Sequence, residues 1–369
     1  MELSGFPVAE VAFDRAGDLT GDRGATVREL AADSTTTDLV VLSHGWDDGP
    51  STARQLYADL ASSMRSVGSV GGGRRIALAC VLWPSRRYAA STGLEERLDL
   101  LRTLRPEHGL TIDAAAGLVP ALPARATART AFAAAVLSVA APGAQDVEDA
   151  STQLLALPGG TVMDRLAKPA SGFVEAARQL LDYLTYYELK TRAGDVGERG
   201  LAPLLATVAR PGLRVHLVGH GFGARLVTAA AKARPSGSLS TLTLLQGALS
   251  HHAFAEDGVF RGVLDGHVVT GPILVTHTAY DLVAGVAFEI ASRITGQEYG
   301  SIGRDGARGT AEAVAAELLP VGGSYAWHPG VPHNLLADRF VHGHTDVHGP
   351  EIAHALLSAI AASYQSGQR

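Results

Sequence analysis

The chain has 369 residues, of which 46% are hydrophobic and 18% are charged, and this composition predicts a globular protein with a sizeable core. A length of this order fits one large α/β domain with an insertion. The formal net charge is −6 and the 31 basic residues are scattered along the chain, so we expect neither nucleic acid nor an anionic membrane as a partner. Nothing in the composition specifies an oligomeric state.

The sequence shows no targeting or membrane signal. Residues 1–5 are acidic and lead into no long apolar segment, so we expect no secretory signal and a cytoplasmic location. The most hydrophobic tract outside the predicted strands, residues 131–141, is shorter than the roughly 20 residues that span a bilayer. The single cysteine, Cys80, lies in an apolar run and is expected to pack in the core.

Short apolar runs alternate with helical patterns along the chain. Residues 6–14 alternate polar and apolar side chains, which predicts an edge strand in a hairpin. Five runs are predicted as buried parallel strands, at residues 38–43, 75–83, 213–218, 240–246 and 272–277. The helical patterns cover residues 51–67, 173–192, 222–233, 282–295 and 350–364. This alternation predicts an α/β fold with a mostly parallel central sheet and helices on both faces.

Residues 86–171 interrupt this alternation. They are rich in alanine, leucine and proline and hold helical patterns near residues 111, 131 and 147. We therefore predict a core of residues 1–85 and 172–369 with residues 86–171 as a helical insertion. Because material that follows a strand's carboxyl end lies over the ligand crevice of an open α/β sheet, we expect the insertion to act as a lid. A helical decoration without ligand contact is the alternative.

A predicted strand, a glycine-flanked turn and a predicted helix meet at Gly219-His220-Gly221-Phe222-Gly223. Glycines at both ends let the strand and the helix pass closely, and Gly221 tolerates the backbone angles of a sharp turn. The segment resembles the nucleophile elbow of the α/β-hydrolase family, Gly-x-Ser-x-Gly, with glycine in the place of the attacking serine. The dinucleotide fingerprint Gly-x-Gly-x-x-Gly is disfavoured because the last glycine has the wrong spacing and no matching acidic residue follows.

Three other segments resemble parts of the α/β-hydrolase site. His44-Gly45-Trp46 follows a predicted strand and is similar to the loop that supplies an oxyanion-hole amide, which implies donors at Trp46 and Phe222. Asp281 follows another predicted strand, where the family carries its acid. His344, in the loop before the final helix, is similar to the catalytic histidine. The order elbow, acid, histidine is the chain order of the family.

The resemblance implies an α/β-hydrolase fold from about residue 35 to 365, outside the insertion, and a relation to carboxylic-ester hydrolases. Further binding contacts are expected from His44, Gly45, Trp83 and His220. Apolar groups near the predicted crevice favour a small apolar or acyl-type ligand, with an ester or thioester as the first choice.

We expect neither a cofactor nor a metal. The histidines and aspartate at positions 342, 344, 346 and 348 alternate closely, and His251 and His252 are adjacent, which is a weak metal-ligand pattern. The chain contains no Cys-x-x-Cys or His-Glu-x-x-His segment to strengthen it.

Glycine at position 221 leaves three hypotheses open. In the first, the chain is an inactive Ser-to-Gly variant of an esterase. In the second, His344 with Asp281 acts as a general base on water or a substrate proton, which allows hydrolysis or lyase chemistry without a covalent intermediate. In the third hypothesis, the protein has lost catalysis and binds a small apolar ligand or a protein partner. The nearby Ser43, Ser85 and Ser250 are not expected to replace the missing hydroxyl.

Overall fold

A computed structural model describes residues 1–46, 49–68, 71, 73–85, 93–140, 156–167, 172–283, 288–290, 292 and 298–366, with side chains up to 363. The chain forms two compact units. The first comprises Met1–Ser85, Arg192–Gly285 and Ser301–Arg369, and the second comprises Arg86–Thr191 and Val286–Gly300.

The first unit is built on a nine-stranded sheet. In chain order the strands are β1 (Glu2–Leu3), β2 (Phe6–Ala12), β3 (Asp38–Ser43), β4 (Ile76–Leu82), β5 (Arg214–His220), β6 (Thr241–Leu245), β7 (Ile273–His277), β8 (Val314–Glu317) and β9 (Pro332–Leu336). Their order across the sheet is β1-β2-β4-β3-β5-β6-β7-β9-β8. Within the described residues, β1 and β2 are antiparallel and all other neighbouring strands are parallel. The predicted mostly parallel α/β sheet is confirmed.

The five predicted parallel strands correspond to β3 through β7. The first segment does form a hairpin with β1, but it also pairs in parallel with β4, so the prediction of an edge strand there was wrong. The two-residue strand β1 takes the edge instead. Strands β8 and β9 were not predicted from the sequence.

The described helices alternate with these strands. In chain order they are α1 (Ala25–Ala32), α2 (Pro50–Val67), α3 (Leu94–Leu104), α4 (Gly109–Leu118), α5 (Ala126–Leu137), α6 (Gly159–Leu166), α7 (Gly172–Asp195), α8 (Ala202–Val208), α9 (Phe222–Lys232), α10 (Arg261–Asp265), α11 (Ile302–Asp305) and α12 (Pro350–Ser366). Short 3-10 turns lie at Pro106–His108 and Val119–Ala121, and a π-helical segment at Val196–Leu201 joins α7 to α8. The predicted helix near residue 147 and most of that at 282–295 lie outside the described residues.

Both faces of the sheet are covered. On one face, Val40 and Leu42 of β3 share a core cluster with α2 and α12. The intervening Leu39 and Val41 point to the other face and are also buried. That face carries α9, which packs on β3, β5 and β6 and on the π-helical segment. Adjacent strands β3 and β5 therefore lead into helices on opposite faces.

The second unit is helical in its described part. Helices α3, α4, α5 and α6 pack in sequence, and Gly159 lets α6 approach α5 closely, since an added Cβ would lie 2.8 Å from the Thr130 carbonyl oxygen. Arg97 Nε and Asp182 Oδ1, 2.7 Å apart, join α3 to α7. The expected helices near residues 111 and 131 are confirmed as α4 and α5. None of the helices among the described residues combines the length and apolar character needed to cross a membrane.

A buried ionic network ties the amino-terminal ends of the central strands together. Asp38, the first residue of β3, is fully buried and accepts hydrogen bonds from Nε and Nη2 of Arg214, both at 2.8 Å. His216 Nε2 lies 3.1 Å from Asp38 Oδ1, and its Nδ1 lies 2.9 Å from Thr241 Oγ1 in β6. Three neighbouring strands are thus joined by one carboxylate and one imidazole.

The environment of this network sets its charge state. Burial alone would raise the pKa of Asp38, but hydrogen bonds from Arg214, His216 and Thr37 outweigh it and hold the pKa of Asp38 well below the usual range. Burial lowers the pKa of His216, which outweighs the opposing effect of Asp38. At neutral pH the imidazole is therefore neutral, donating from Nε2 to Asp38 and accepting at Nδ1 from the Thr241 hydroxyl.

Replacing Asp38 should destabilise the first unit strongly. We expect Asp38→Asn to lower the free energy of unfolding at pH 7 by about 3–5 kcal/mol, measured by urea denaturation, because it leaves Arg214 without its buried counter-charge. Folding lowers the pKa of Asp38, so its contribution is present above the ordinary aspartate pKa and is lost as the pH falls through the lowered value. The difference in the free energy of unfolding between the wild type and Asp38→Asn should therefore become smaller at acidic pH.

Glu10→Gln is the matched control, because it removes an exposed ion pair with Arg54. We expect Glu10→Gln to lower the free energy of unfolding by less than about 1 kcal/mol. Equal losses in the two variants would contradict a dominant role for the Asp38 network.

Candidate functional site

The candidate site lies where β3 and β5 end side by side. Ser43 of β3 is in register with Gly219 of β5, so the loop that follows β3 runs beside the turn that follows β5. Because the two strands lead into helices on opposite faces, a crevice is expected at this point of the sheet. The segment His44-Gly45-Trp46 and the segment His220-Gly221-Phe222 face each other there.

The turn between β5 and α9 has an unusual backbone. Gly221 has φ 54° and ψ −119°, a conformation that non-glycine residues adopt only with strain. Its amide donates to the Leu245 carbonyl at 3.0 Å, and its carbonyl accepts from the amides of Ala248 at 2.9 Å and Ala224 at 3.1 Å. Hydrogen bonds on both sides of the residue therefore fix the turn.

Two flanking glycines are required by close backbone contacts. A Cβ added at Gly219 would lie 2.2 Å from the Gly223 carbonyl oxygen, and one added at Gly223 would lie 2.3 Å from the Ser43 carbonyl oxygen. A Cβ at Gly45 would similarly lie 2.8 Å from the His220 carbonyl oxygen. Any larger residue at these positions would push β3, β5 and α9 apart.

Asp281 and His344 form a buried pair beside this turn. Asp281 lies just beyond β7 and is fully buried, while His344, in the loop before α12, is 6% exposed. Asp281 Oδ2 lies 2.9 Å from His344 Nδ1. This bond places the proton of the neutral imidazole on Nδ1 and leaves the lone pair of Nε2 as the acceptor.

The Nε2 atom of His344 faces the missing side chain of residue 221. A Cβ added at Gly221 would lie 2.9 Å from His344 Nε2 and 3.2 Å from Cε1. The ring thus occupies part of the space that a side chain would fill. The structure brings together the three residues at the predicted nucleophile, acid and histidine positions, although they are far apart in the sequence.

His220 holds the backbone of the histidine loop. Its Nε2 lies 2.8 Å from the His344 carbonyl oxygen, and the two rings are 4.6 Å apart between centroids. A side chain that was predicted to bind substrate therefore positions His344. Direct contact of His220 with substrate stays a prediction.

Two hydrogen bonds and a ring contact join His44 to Trp83. The Trp83 indole N–H donates to the His44 carbonyl at 3.0 Å, the Trp83 amide donates to His44 Nε2 at 3.3 Å, and the two rings stack at 5.7 Å. Both residues are buried. These contacts hold the end of β3 against the end of β4, and substrate binding by either side chain stays a prediction.

The two predicted oxyanion donors are neighbours. The rings of Trp46 and Phe222 meet edge to face, with centroids 5.6 Å apart. Phe222 is also the first residue of α9, where the helix dipole places partial positive charge. This end of the helix favours a negative charge that develops in front of it.

The sequence did not reveal two supporting residues. The Tyr57 hydroxyl accepts from the His44 amide at 2.7 Å and donates to the Val81 carbonyl at 2.5 Å, yet in the sequence Tyr57 belongs to the apolar stripe of a helix. Gln246, directly after β6, is fully buried with φ 42°, and its Oε1 accepts from the Thr276 hydroxyl at 2.9 Å. The only sequence signal for Gln246 is a polar residue at the end of an apolar strand.

The other serines and histidines considered from the sequence have different surroundings. The Ser85 hydroxyl lies 3.4 Å from His44 Nδ1, and the Ser250 hydroxyl accepts from the His252 amide. His251 Nδ1 lies 2.9 Å from Asp305 Oδ2. Within the part of the chain that the structure describes, no group of three or more His, Cys, Asp and Glu side chains is arranged to hold a metal ion.

Comparison of the chain with protein-family models, with curated proteins and with solved structures gave no match. What the structure defines is the class: an α/β protein with a buried aspartate–histidine pair at a glycine turn.

The close contact at Gly223 leads to a stability prediction. We expect Gly223→Ala to lower the free energy of unfolding by about 2–4 kcal/mol, because the added methyl group meets the Ser43 and His44 carbonyl oxygens at 2.3 and 2.4 Å. Thermal or urea denaturation measures the loss.

The control is Gly262→Ala within α10, where an added Cβ meets nothing within 4 Å. Alanine is the better helix former by about 0.5–1 kcal/mol, so this variant should be as stable as the wild type or more stable. A Gly223→Ala protein that behaves like the control would show that the approach of β3 to α9 is not tight.

Proposed function

We propose that the first unit has an α/β-hydrolase fold and hydrolyses an ester-type acyl compound without a serine nucleophile. His344 acts as the general base on water, and the carboxylate of Asp281 orients and supports His344. The observation that carries the proposal is the direction of the missing side chain: position 221 points at His344 Nε2, whose ring is held from behind by Asp281. A turn that is only structural has no need of a base in front of it.

The proposed reaction follows from the positions of these groups. His344 Nε2 accepts a proton from a water molecule as the water oxygen attacks the acyl carbonyl carbon. The carboxylate of Asp281 stabilises the imidazolium that forms. The developing oxyanion is stabilised by the amides of Trp46 and Phe222, at the amino-terminal end of α9. The imidazolium then returns the proton to the leaving alkoxide, which restores the neutral histidine.

The proposed substrate class rests on the aromatic side chains beside the turn. The half-buried Trp46 ring packs on the fully buried Phe222 ring beside the turn, and the apolar surface of Trp46 suits a small acyl group. An ester or thioester supplies both the acyl carbon and a leaving group that His344 can protonate. The role of residues 86–171 as a lid over the substrate belongs to the same proposal.

The burial of the pair favours a second candidate function. Asp281 is fully buried and His344 is 6% exposed, and such enclosure also suits a protein that binds a small apolar ligand without turnover. The first hypothesis, an inactive variant of a serine esterase, predicts that a serine at position 221 restores activity. The two experiments below separate these candidates.

Loss of the histidine should abolish hydrolysis. With p-nitrophenyl acetate as substrate, we expect His344→Gln to lower kcat/KM at least about 100-fold, which is the usual contribution of a general base. Asp281→Asn should also lower it, because the imidazolium loses its counter-charge. His342→Gln is the matched control, since His342 lies two residues away in the same loop and is exposed.

Equal turnover in the His344→Gln and His342→Gln proteins would refute catalysis by the pair. No turnover in the wild-type protein would refute hydrolysis of this substrate without a serine and favour the two other candidates.

Restoring a hydroxyl tests the elbow itself. We expect Gly221→Ser to lower the free energy of unfolding by about 1–3 kcal/mol, because of the strained backbone and the crowding by His344. The same variant should gain covalent labelling at residue 221 by a fluorophosphonate probe, measured by mass spectrometry. Gly221→Ala should lose similar stability and stay unlabelled.

Turnover that appears only in the Gly221→Ser protein would identify an inactivated serine esterase. A folded Gly221→Ser protein without labelling would contradict the α/β-hydrolase assignment and favour the binding function.

A further inference from the structure

The imidazole of His44 bonds to the loop that carries the Trp46 amide. Its Nδ1 atom lies 3.0 Å from the carbonyl oxygen of Gly45, the next residue along the chain. The backbone amide of Trp83 donates to its Nε2 atom at 3.3 Å. A backbone amide donates and a carbonyl accepts, so Nε2 holds the lone pair and Nδ1 holds the proton. The two bonds therefore select the Nδ1–H tautomer of His44 and direct its N–H at Gly45.

The remaining contacts of His44 fix the ring in this position. The His44 amide donates to the Tyr57 hydroxyl at 2.7 Å, and the His44 carbonyl accepts from the Trp83 indole at 3.0 Å. The ring also stacks on the Trp83 indole, and only 2% of the residue is exposed. A buried residue that is bonded at its amide, its carbonyl and both ring nitrogens suits support of the backbone better than contact with a substrate.

The Gly45 carbonyl and the Trp46 amide belong to one peptide group. A peptide group is planar, and in its trans form the C=O and the N–H point to opposite sides. The His44 ring holds the Gly45 carbonyl on the side of Trp83, directly after β4, and β3 lies between β4 and β5 in the sheet. The N–H of Trp46 is therefore directed to the β5 side, where the turn at Gly221 lies.

The same loop borders the space in front of Gly221. A Cβ added at Gly221 would lie 3.5 Å from the Cα atom of Gly45 and 2.9 Å from Nε2 of His344. Gly45 and the His344 ring thus border one space. An oxyanion that develops there needs an N–H that already points at it, because a fixed dipole stabilises the charge without having to reorient during the reaction.

We propose that His44 is a positioning residue, whose Nδ1–H sets the direction of the Trp46 amide as an oxyanion donor. The inference rests on the proposed hydrolysis, in which this amide stabilises the developing charge. It assigns His44 a role other than the substrate contact expected from the sequence. His44 touches no reacting atom, so its loss acts on the reaction only through the peptide group between Gly45 and Trp46.

Two substitutions separate the donor at Nδ1 from the acceptor at Nε2. An asparagine amide reaches the position of Nδ1 and donates to the Gly45 carbonyl, whereas the longer glutamine reaches the position of Nε2 and accepts from the Trp83 amide. With p-nitrophenyl acetate, we expect His44→Gln to lower kcat at least about 10-fold with KM within about 2-fold, since outright loss of an oxyanion donor costs about 100-fold or more. His44→Asn should keep kcat within about 3-fold of the wild type, because the oxyanion donor keeps its direction.

The melting temperatures of the two variants should follow the opposite order. His44→Gln keeps an acceptor for the Trp83 amide and should melt at the higher temperature, whereas His44→Asn leaves this amide unpaired and should melt at the lower one. A purely structural role of His44 predicts the same order for kcat and for the melting temperature, and that result would overturn the proposal. A raised KM with unchanged kcat in both variants would assign substrate contact to His44 and would also overturn it.

The peptide group itself gives a readout that needs no turnover. Gly45-Trp46 is the one Gly-Trp pair in the sequence, so labelling with ¹³C-carbonyl glycine and ¹⁵N-tryptophan gives a single correlation in an HNCO spectrum. We expect the Gly45 carbonyl signal to move in His44→Gln, which loses the hydrogen bond to this oxygen, and to stay near its wild-type position in His44→Asn. If the wild type does not hydrolyse the ester, the proposed hydrolysis fails, and this signal still decides whether His44 holds the peptide group.

Ser85→Ala is the matched control, because the Ser85 hydroxyl lies 3.4 Å from the same Nδ1 atom of His44. We expect this variant to keep the wild-type kcat and the wild-type Gly45 carbonyl signal. A Ser85→Ala protein that behaves like His44→Gln would show that Nδ1 acts through Ser85, which would overturn the proposal. The same Gly45 carbonyl signal in the wild type and in both His44 variants would overturn it as well, with or without ester hydrolysis.

Discussion

The structure of the site depends on the close approach of three backbone segments. The end of β3, the end of β5 and the first turn of α9 touch at Gly219 and Gly223, with no room for a Cβ atom at either position. This contact brings Gly221 beside the loop that carries Trp46 and fixes the direction in which residue 221 points. Because of this turn, the space that a side chain at residue 221 would fill faces Nε2 of His344.

The supporting contacts form a layer behind Gly221 and His344. His220 holds the His344 backbone, Tyr57 joins the end of β3 to β4, and the Leu245 carbonyl holds the Gly221 amide. These groups come from different elements of the first unit, and each bonds to the backbone. The sheet and α2 therefore hold the backbone of the turn together.

The sequence predicted the parts of this structure that have a strong local signal. Strand β3 was predicted with its observed bounds because residues 39–42 form a continuous apolar run between Asp38 and Ser43, and the glycine turn was recognisable from its spacing. The placement of Asp281 after a strand and of His344 before the last helix followed from the family resemblance. Strands β8 and β9 were not predicted from the sequence. Val314–Glu317 shows only a weak alternation at an exposed edge of the sheet, and Pro332–Leu336 begins with a proline. The bridging hydroxyl of Tyr57 and the positive φ of Gln246 depend on tertiary contacts that no local pattern encodes.

The pairing of β3 with β5 has a consequence for the order in which the protein folds. Asp38 and Arg214 are 176 positions apart, whereas β2, β3 and β4 all lie within the first 82 residues. During synthesis these three strands can pair early, which leaves the β5-facing edge of β3 without a partner until the elongating chain supplies one. An open apolar edge invites pairing with another chain. The carboxylate of Asp38 at the start of that edge opposes such pairing, since it is costly to bury until the Arg214 guanidinium arrives. Asp38 therefore stabilises the complete sheet and disfavours intermolecular pairing of the incomplete sheet.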